Sequence, residues 1–332
     1  MTMGKPLRLV FMGSDAVALP LLDWLAGEGR GVATLAGLFT GPDRPSGRGQ
    51  AVRPNAVKAW CAGRQVEVLQ PERLDAAALA SLGALLPDVT LVVAYGHILK
   101  DDFISVPRLG TLNLHASLLP LYRGASPIQT AVACGDRETG MTLMRIVREL
   151  DAGPVAGEER VAIAPLDTAA ETEAAMARAA VPLVARSLPL LAEGRLSFRA
   201  QDPSLASFCR RLDKSDGVLD FAAPAGVLAA RVNGLHPWPS VAVDIAGTGV
   251  KLGLADALAG VRGEAPGTVL GSDPEGLIVA AGSGVLRLRR LQRPGGRMLD
   301  AQEFLRGFPV AAGTVIASRP MPALVAASPF RR

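Results

Sequence analysis

Asn113, His115 and Asp151 set an amide, an imidazole and a carboxylate along one stretch, Leu112 to Asp151, of a chain that has only three histidines. Such groups suit transfer of an acyl group to an amine. An amide N–H and an imidazole N–H can donate to a carbonyl oxygen as it gains negative charge, and a carboxylate can orient the ring or take up a proton. Thr111 to His115 reads as a short strand. Alternate side chains of a strand share a face, so Asn113 and His115 are expected to address one carbonyl together. Alone, an Asn or His at a strand end more often fixes a loop by hydrogen bonding, and Asp151 close before Gly153 can simply shape a turn.

The elements that must position these residues follow from the same stretch. Pro120 lacks an N–H and restricts Leu119, so the chain is expected to leave the sheet over Ser117–Pro120 as a loop. Ser126 suits an N-cap, Pro127 the first helical position and Gly135 a left-handed C-terminal residue, which predicts a helix over Pro127–Cys134. A strand over Met141–Val147 would then deliver Asp151 in the loop beyond its end. Ligands of open α/β sheets bind outside the carboxyl ends of the strands, and all three residues are expected there.

Upstream, strand-like and helix-like segments alternate over Leu7–Met12, Val17–Ala26, Ala33–Thr40, Arg53–Ala62, Val66–Leu69 and Asp88–Tyr95. This predicts an α/β fold, a mostly parallel sheet with helices on both faces. Phe11-Met-Gly13-Ser-Asp15 lacks the later glycines of a dinucleotide fingerprint, which argues against a nicotinamide dehydrogenase. Thr168 and Glu171 stand at capping-box spacing before an alanine-rich segment that Pro182 and Pro189 are expected to interrupt. Arg199–Ala206 reads as a linker and divides the chain into domains 1–204 and 205–332. Beyond it, a short helix over Ala222–Val232 and glycine-punctuated apolar runs at Val241–Ile245, Val250–Leu254, Gly267–Leu270, Leu277–Ala280 and Val285–Leu291 predict a small β-barrel.

Apolar residues make up 49% and charged residues 20% of the chain, the balance of a well-buried globular protein. The start enters a strand-like run without secretory features, and no uninterrupted apolar run reaches membrane-spanning length, so a cytoplasmic location without a membrane partner is expected. Cys61, Cys134 and Cys209 are odd in number and widely spaced, and are expected to be reduced, with no metal site. Arg210 onward carries 15 basic and 10 acidic residues, against 20 and 21 before it. The second domain therefore holds the excess positive charge. In Val285–Arg290 strand alternation points Leu286 and Leu288 inward and Arg287 and Arg289 outward, a patch suited to a phosphate backbone. The Gly41–Gly49 loop, with Arg44 and Arg48, is expected to be exposed and mobile.

The run Asn113-Leu-His115-Ala-Ser117-Leu-Leu-Pro120, followed by Arg123-Gly124 and Leu150-Asp151-Ala-Gly153, resembles the folate-dependent formyltransferases, whose catalytic trio is Asn, His and Asp at these positions. Pro42-Asp-Arg44-Pro-Ser-Gly-Arg48-Gly49, His236-Pro-Trp-Pro239 and Ala265-Pro-Gly-Thr268 extend the resemblance over nearly the whole length, toward the branch of that family that acts on charged tRNA. The resemblance implies a Rossmann-like catalytic domain followed by an OB-like barrel. It also implies 10-formyltetrahydrofolate as donor and initiator methionyl-tRNA as acceptor, with Asn113 and His115 at the oxyanion and Asp151 orienting His115 and assisting proton transfer. Folate contacts are implied from Tyr95, Gly96, His97, Ile98 and Leu99, from Ser117, Leu118, Leu119 and Pro120, and from Val147. Those implied for tRNA are Arg44, Arg48, Arg211, Lys214, Arg287 and Arg289, and a monomer is favoured.

Three stretches depart from the family pattern: Ala152-Gly153-Pro154 stands in place of Thr-Gly-Asp, Gln50 in place of a basic residue, and Phe208-Cys-Arg-Arg211-Leu212, with its positive charge kept, in place of Tyr-Ala-x-Lys-Leu. The first bears on how the Asp151 loop is anchored, the second on tRNA contact. Rival readings are a sugar-nucleotide N-formyltransferase, a 10-formyltetrahydrofolate hydrolase, and a non-catalytic folate-sensing RNA-binding protein. Turnover and the identity of the acceptor separate them.

Overall fold

The computed structural model describes residues 5–46, 51–260 and 263–330. The chain divides into two compact units, one of residues 1–123, 140–161 and 174–206, the other of 124–139, 162–173 and 207–332.

In the first unit, seven strands form a sheet in the order Val155–Ala162, Glu138–Arg145, Thr111–His115, Val89–Val93, Leu7–Gly13, Ala33–Phe39 and Val68–Leu69. From Thr111–His115 to Val68–Leu69 every neighbouring pair is parallel, whereas Glu138–Arg145 runs antiparallel to Thr111–His115. Val89–Val93 is buried at every position, as a central strand covered on both faces requires. Val10, Met12, Phe39 and Val92 of the sheet pack with Leu82, Leu85 and Phe103, which come from helical segments after Asp75 and Lys100. Those two helices, Ala76–Ala84 and Asp101–Ile104, escape the sequence reading.

The strand Thr111–His115 and the helix Pro127–Cys134 form where the sequence places them, and Gly135 closes the helix at φ 81°. Ser126 occupies the N-cap without a capping bond from its side chain; its carbonyl instead accepts from the Thr130 hydroxyl at 2.7 Å. The expected break at Pro182 and Pro189 does not occur, because one helix runs from Ala169 to Ala192 through both. Each interior proline costs roughly 3 kcal/mol. Burial of Leu183, Val184, Leu188 and Leu191 along the same helix offsets this, at about 1.5–3 kcal/mol for each side chain. Among the described residues this helix is also long and apolar enough to cross a membrane, yet half of the qualifying window is buried inside the fold.

The second unit is built on antiparallel strands in the order Val241–Ile245, Thr248–Leu258, Val285–Gln292, Gly276–Ala280 and Val269–Asp273, with Leu299–Asp300 added beside Val285–Gln292. Leu228 and Val232 of the helix Ala225–Gly234 share a core with Leu252, Leu277, Val279, Leu286 and Leu288. A side chain at Gly234 would collide with the backbone of Ala133, so a bare Cα there lets the helix Pro127–Cys134 lie against Ala225–Gly234. The unit thus includes two stretches that precede residue 205 in sequence.

Candidate active site

His115 ends its strand and is only 6% exposed. Its Nε2 lies 2.9 Å from the Tyr122 carbonyl. A carbonyl can only accept, so Nε2 carries a proton and donates it. Nδ1 lies 3.7 Å from Asp151 Oδ2. That separation is an ion-pair distance but too long for a direct hydrogen bond, so Nδ1 is oriented by the carboxylate without being consumed by it. Tyr122, whose carbonyl fixes the ring, sits at φ 55° in the left-handed region. Asn113 precedes His115 by two residues on the same face of the strand, half-buried between Val92 and Met144 of the neighbouring strands.

Asp151 reaches this place by a route that the sequence reading does not anticipate. Because Glu138–Arg145 is antiparallel, Arg145 lies opposite Leu112, away from His115, and the loop after it must turn back along the sheet. Three features hold that return. The Arg145 N–H donates to the Pro154 carbonyl at 3.0 Å, so the Pro154 departure anchors the loop through its carbonyl. Gly153 lies so close to the Arg145 carbonyl that any Cβ would collide with it. Gln201, read from sequence as part of a linker, donates from Nε2 to the carbonyls of Asp151 and Gly153, both at 2.8 Å.

The segments expected to meet folate leave the same sheet edge, since Val89–Val93 runs parallel to Thr111–His115. Their side chains divide. Tyr95 and Leu99 point into the core with Phe103 and Val10, and burial pushes the Tyr95 phenol up to about 12. Leu119 packs with Met144 and Val155, and the Ser117 hydroxyl is spent on the Leu121 carbonyl at 2.6 Å. Tyr95, Leu99, Ser117 and Leu119 thus turn their side chains into the fold. Gly96, His97, Leu118 and Pro120 remain partly or fully accessible, and Ile98 and Val147 are 67% and 38% exposed. Thr142, which sequence reasoning missed, bonds both Ser117 and Leu119.

The cationic residues divide in the same way. Arg44 is exposed on a short hairpin in which Arg44–Ser46 pairs with Ala51–Arg53, where an irregular loop was expected. Arg48 and Gln50 lie outside the described residues. Arg211 and Lys214 are exposed. Arg287, expected to face solvent, is only 9% exposed: its guanidinium meets Asp256 at 2.7 Å, Asp273 at 3.1 Å and Glu275. Arg289 likewise meets Asp256 at 2.7 Å and Glu275 at 3.3 Å. Alternation does put these arginines opposite the leucines, but three carboxylates on that face pair with them. Burial raises Asp256, and the bonds from Arg287 and Arg289 more than reverse this, holding it below the usual carboxylate range.

Comparison with known proteins adds a family to this geometry. A family model described as formyl transferase matches residues 7–188, and one described as formyl transferase, C-terminal domain, matches 211–309. The methionyl-tRNA formyltransferase of Pseudomonas syringae pv. syringae is 41% identical over 317 residues, covering 95% of this chain and 99% of its own. That of Burkholderia pseudomallei is 39% identical over 321 residues, covering 94% and 97%. Among solved structures, WlaRD, a sugar 3N-formyl transferase, superposes with a TM-score of 0.64 at 14% identity over 89% of this chain and 100% of that one. HypX from Aquifex aeolicus in complex with tetrahydrofolic acid gives 0.60 at 15% identity over 92% of this chain, which spans about half (48%) of that longer protein. At such identities the structural likeness is one of fold.

Proposed function

The chain belongs to the formyl transferase family, as a methionyl-tRNA formyltransferase, and from that premise we propose that Asn113, His115 and Asp151 carry the transfer with 10-formyltetrahydrofolate as donor. The observation that carries the site assignment is the disposition of His115. Its Nε2 is bonded to a backbone carbonyl and its Nδ1 is oriented by Asp151 yet free of a direct bond. Apolar side chains exposed on the surrounding loops, Ile98, Leu121 and Val147, fit the flat face of a pterin.

The bound donor supplies an amide-like formyl carbon, whose oxygen gains negative charge as the amine attacks. Asn113 donates to that oxygen, and so does His115 once Nδ1 carries a proton in addition to the one Nε2 gives to Tyr122, an arrangement in which one lost donor costs about 100- to 1000-fold in rate. A free α-amine, with a pKa of about 7.7 to 8.0, must shed a proton to attack. Asp151 accepts it directly or through one water while holding the imidazole in place. As the new C–N bond forms and the bond to the folate nitrogen breaks, that nitrogen gains a proton from His115 or solvent, matching the one the amine gives to Asp151.

For the tRNA, this reading retains the exposed Arg44, Arg211 and Lys214 and sets aside Arg287 and Arg289, whose charges are matched within the fold. The test is formyl transfer from 10-formyltetrahydrofolate to methionyl-tRNA, with free methionine, a UDP-amino sugar and no acceptor in parallel, for wild type and His115→Ala. Transfer confined to methionyl-tRNA and lost in the variant is the expected result. An unchanged rate in His115→Ala would remove His115 from the mechanism, and formate release without acceptor would make the chain a hydrolase.

A further inference from the structure

Asp151 adopts φ 48°, a left-handed conformation that side chains other than glycine rarely occupy unless the surroundings impose it. Gln201 holds the backbone there from outside the loop. Gln201 donates from Nε2 to the carbonyls of Asp151 and Gly153, both at 2.8 Å, bracketing the reversal of the chain. Its Oε1 accepts from Arg123 Nε at 3.2 Å and Nη2 at 2.7 Å. Arg123 is 3% exposed and can only donate. The buried guanidinium therefore dictates which end of the amide faces it, and the NH2 group is left facing the two carbonyls. Both donors and the acceptor of one amide are engaged, with no freedom to flip.

We propose that Gln201 is a positioning residue for the reaction, holding the 151–153 backbone so that the Asp151 carboxylate meets His115 Nδ1. The inference rests on the reading of Asp151 as a catalytic group. It assigns a catalytic consequence to a residue that lies fifty positions downstream of the loop it holds.

Gln201→Glu tests it with little change of volume: the acceptor oxygen facing Arg123 is kept and gains a charge, while an acceptor oxygen replaces the donor facing the two carbonyls. Expected is a fall in kcat of about 100-fold, as for a misplaced catalytic group, with KM for methionyl-tRNA near wild type. Gln201→Asn, which keeps the amide on a shorter stem, should lie between, and serves if Gln201→Glu lowers the melting midpoint sharply. A double-mutant cycle separates positioning from general damage: in an Asp151→Asn background, Gln201→Glu should cost less than about 3-fold more, because the group it positions is already disabled.

If both Gln201 variants keep kcat while Asp151→Asn loses it, or if the full 100-fold loss persists in the Asp151→Asn background, the positioning role is wrong and the catalytic reading stands. If Asp151→Asn itself is fully active, the catalytic reading falls and this inference falls with it.

Discussion

Replacing Thr142 with valine tests how the loop over the proposed pterin site is held. The Thr142 hydroxyl is fully buried in the strand Glu138–Arg145, donates to the Ser117 carbonyl at 2.6 Å and accepts from the Leu119 N–H at 3.1 Å. Valine fills the same shape and supplies neither bond. Two buried backbone groups then lose their partner, each worth about 1–3 kcal/mol, and because they share one hydroxyl and relax together the sum is about 2–4 kcal/mol. Leu119 still packs with Met144 and Val155, which resists wholesale loss of the loop by about 1.5–3 kcal/mol. The deficit therefore appears both in global unfolding and in local opening of Ser117–Pro120. Urea denaturation should show the lost stability, and initial rates should show KM for 10-formyltetrahydrofolate raised about tenfold, equivalent to about 1.4 kcal/mol, with KM for methionyl-tRNA near wild type. Thr142→Ser, which restores the hydroxyl, should recover most of the folate KM. A variant that loses the stability but keeps the wild-type folate KM would refute the link between this anchor and folate binding; one that keeps the stability would refute the energetic reasoning itself.

Four further outcomes follow from single contacts. Gly153→Ala places a Cβ against the Arg145 carbonyl and forces the Asp151 loop to move; kcat should fall about 100-fold, with far less change in the melting midpoint. Asp256→Ala strips the shared partner of Arg287 and Arg289. It should destabilise the protein in urea by about 2 kcal/mol, below the 3–5 typical of a broken buried pair, because Asp273 and Glu275 still face Arg287. Burial and nearby Arg290 push His236 below its usual value, with Glu171 opposing. The unfolded chain therefore takes the proton more readily, and the stability contributed by neutral His236 is complete above about pH 6.5 and lost as pH falls below it. His236→Gln should narrow the gap between the urea midpoints at about pH 7.5 and about pH 5.5, and an unchanged gap would show that His236 is not its source. Arg44→Ala should raise KM for methionyl-tRNA and leave KM for folate unchanged; equal effects on both would end its assignment to tRNA.

What the sequence discloses and what it hides divide along the range of the interactions involved. Asn113 and His115 are legible because strand alternation is a local rule, and Pro127–Cys134 because its start and stop signals, Ser126, Pro127 and Gly135, lie at its own ends. Periodicity reports which face a residue takes, never what that face will meet. Arg287 lies opposite buried leucines as alternation requires, but Asp256 arrives from Thr248–Leu258 and Asp273 from Val269–Asp273, and their approach draws a side chain expected to face solvent into a buried ion network. Local propensity misleads at Pro182 and Pro189, since the apolar face that offsets their cost is a tertiary property. The site carries the same division. The groups proposed to react follow a short spaced pattern, but the hydrogen bonds that tie down the surrounding loops join residues 25, 50 and 78 positions apart, from Thr142 to Ser117, from Gln201 to Asp151 and from Arg123 to Gln201. A motif of this kind therefore states which atoms can react, while the backbone that carries them is tied down by Thr142, Gln201 and Arg123, whose part only the fold makes visible.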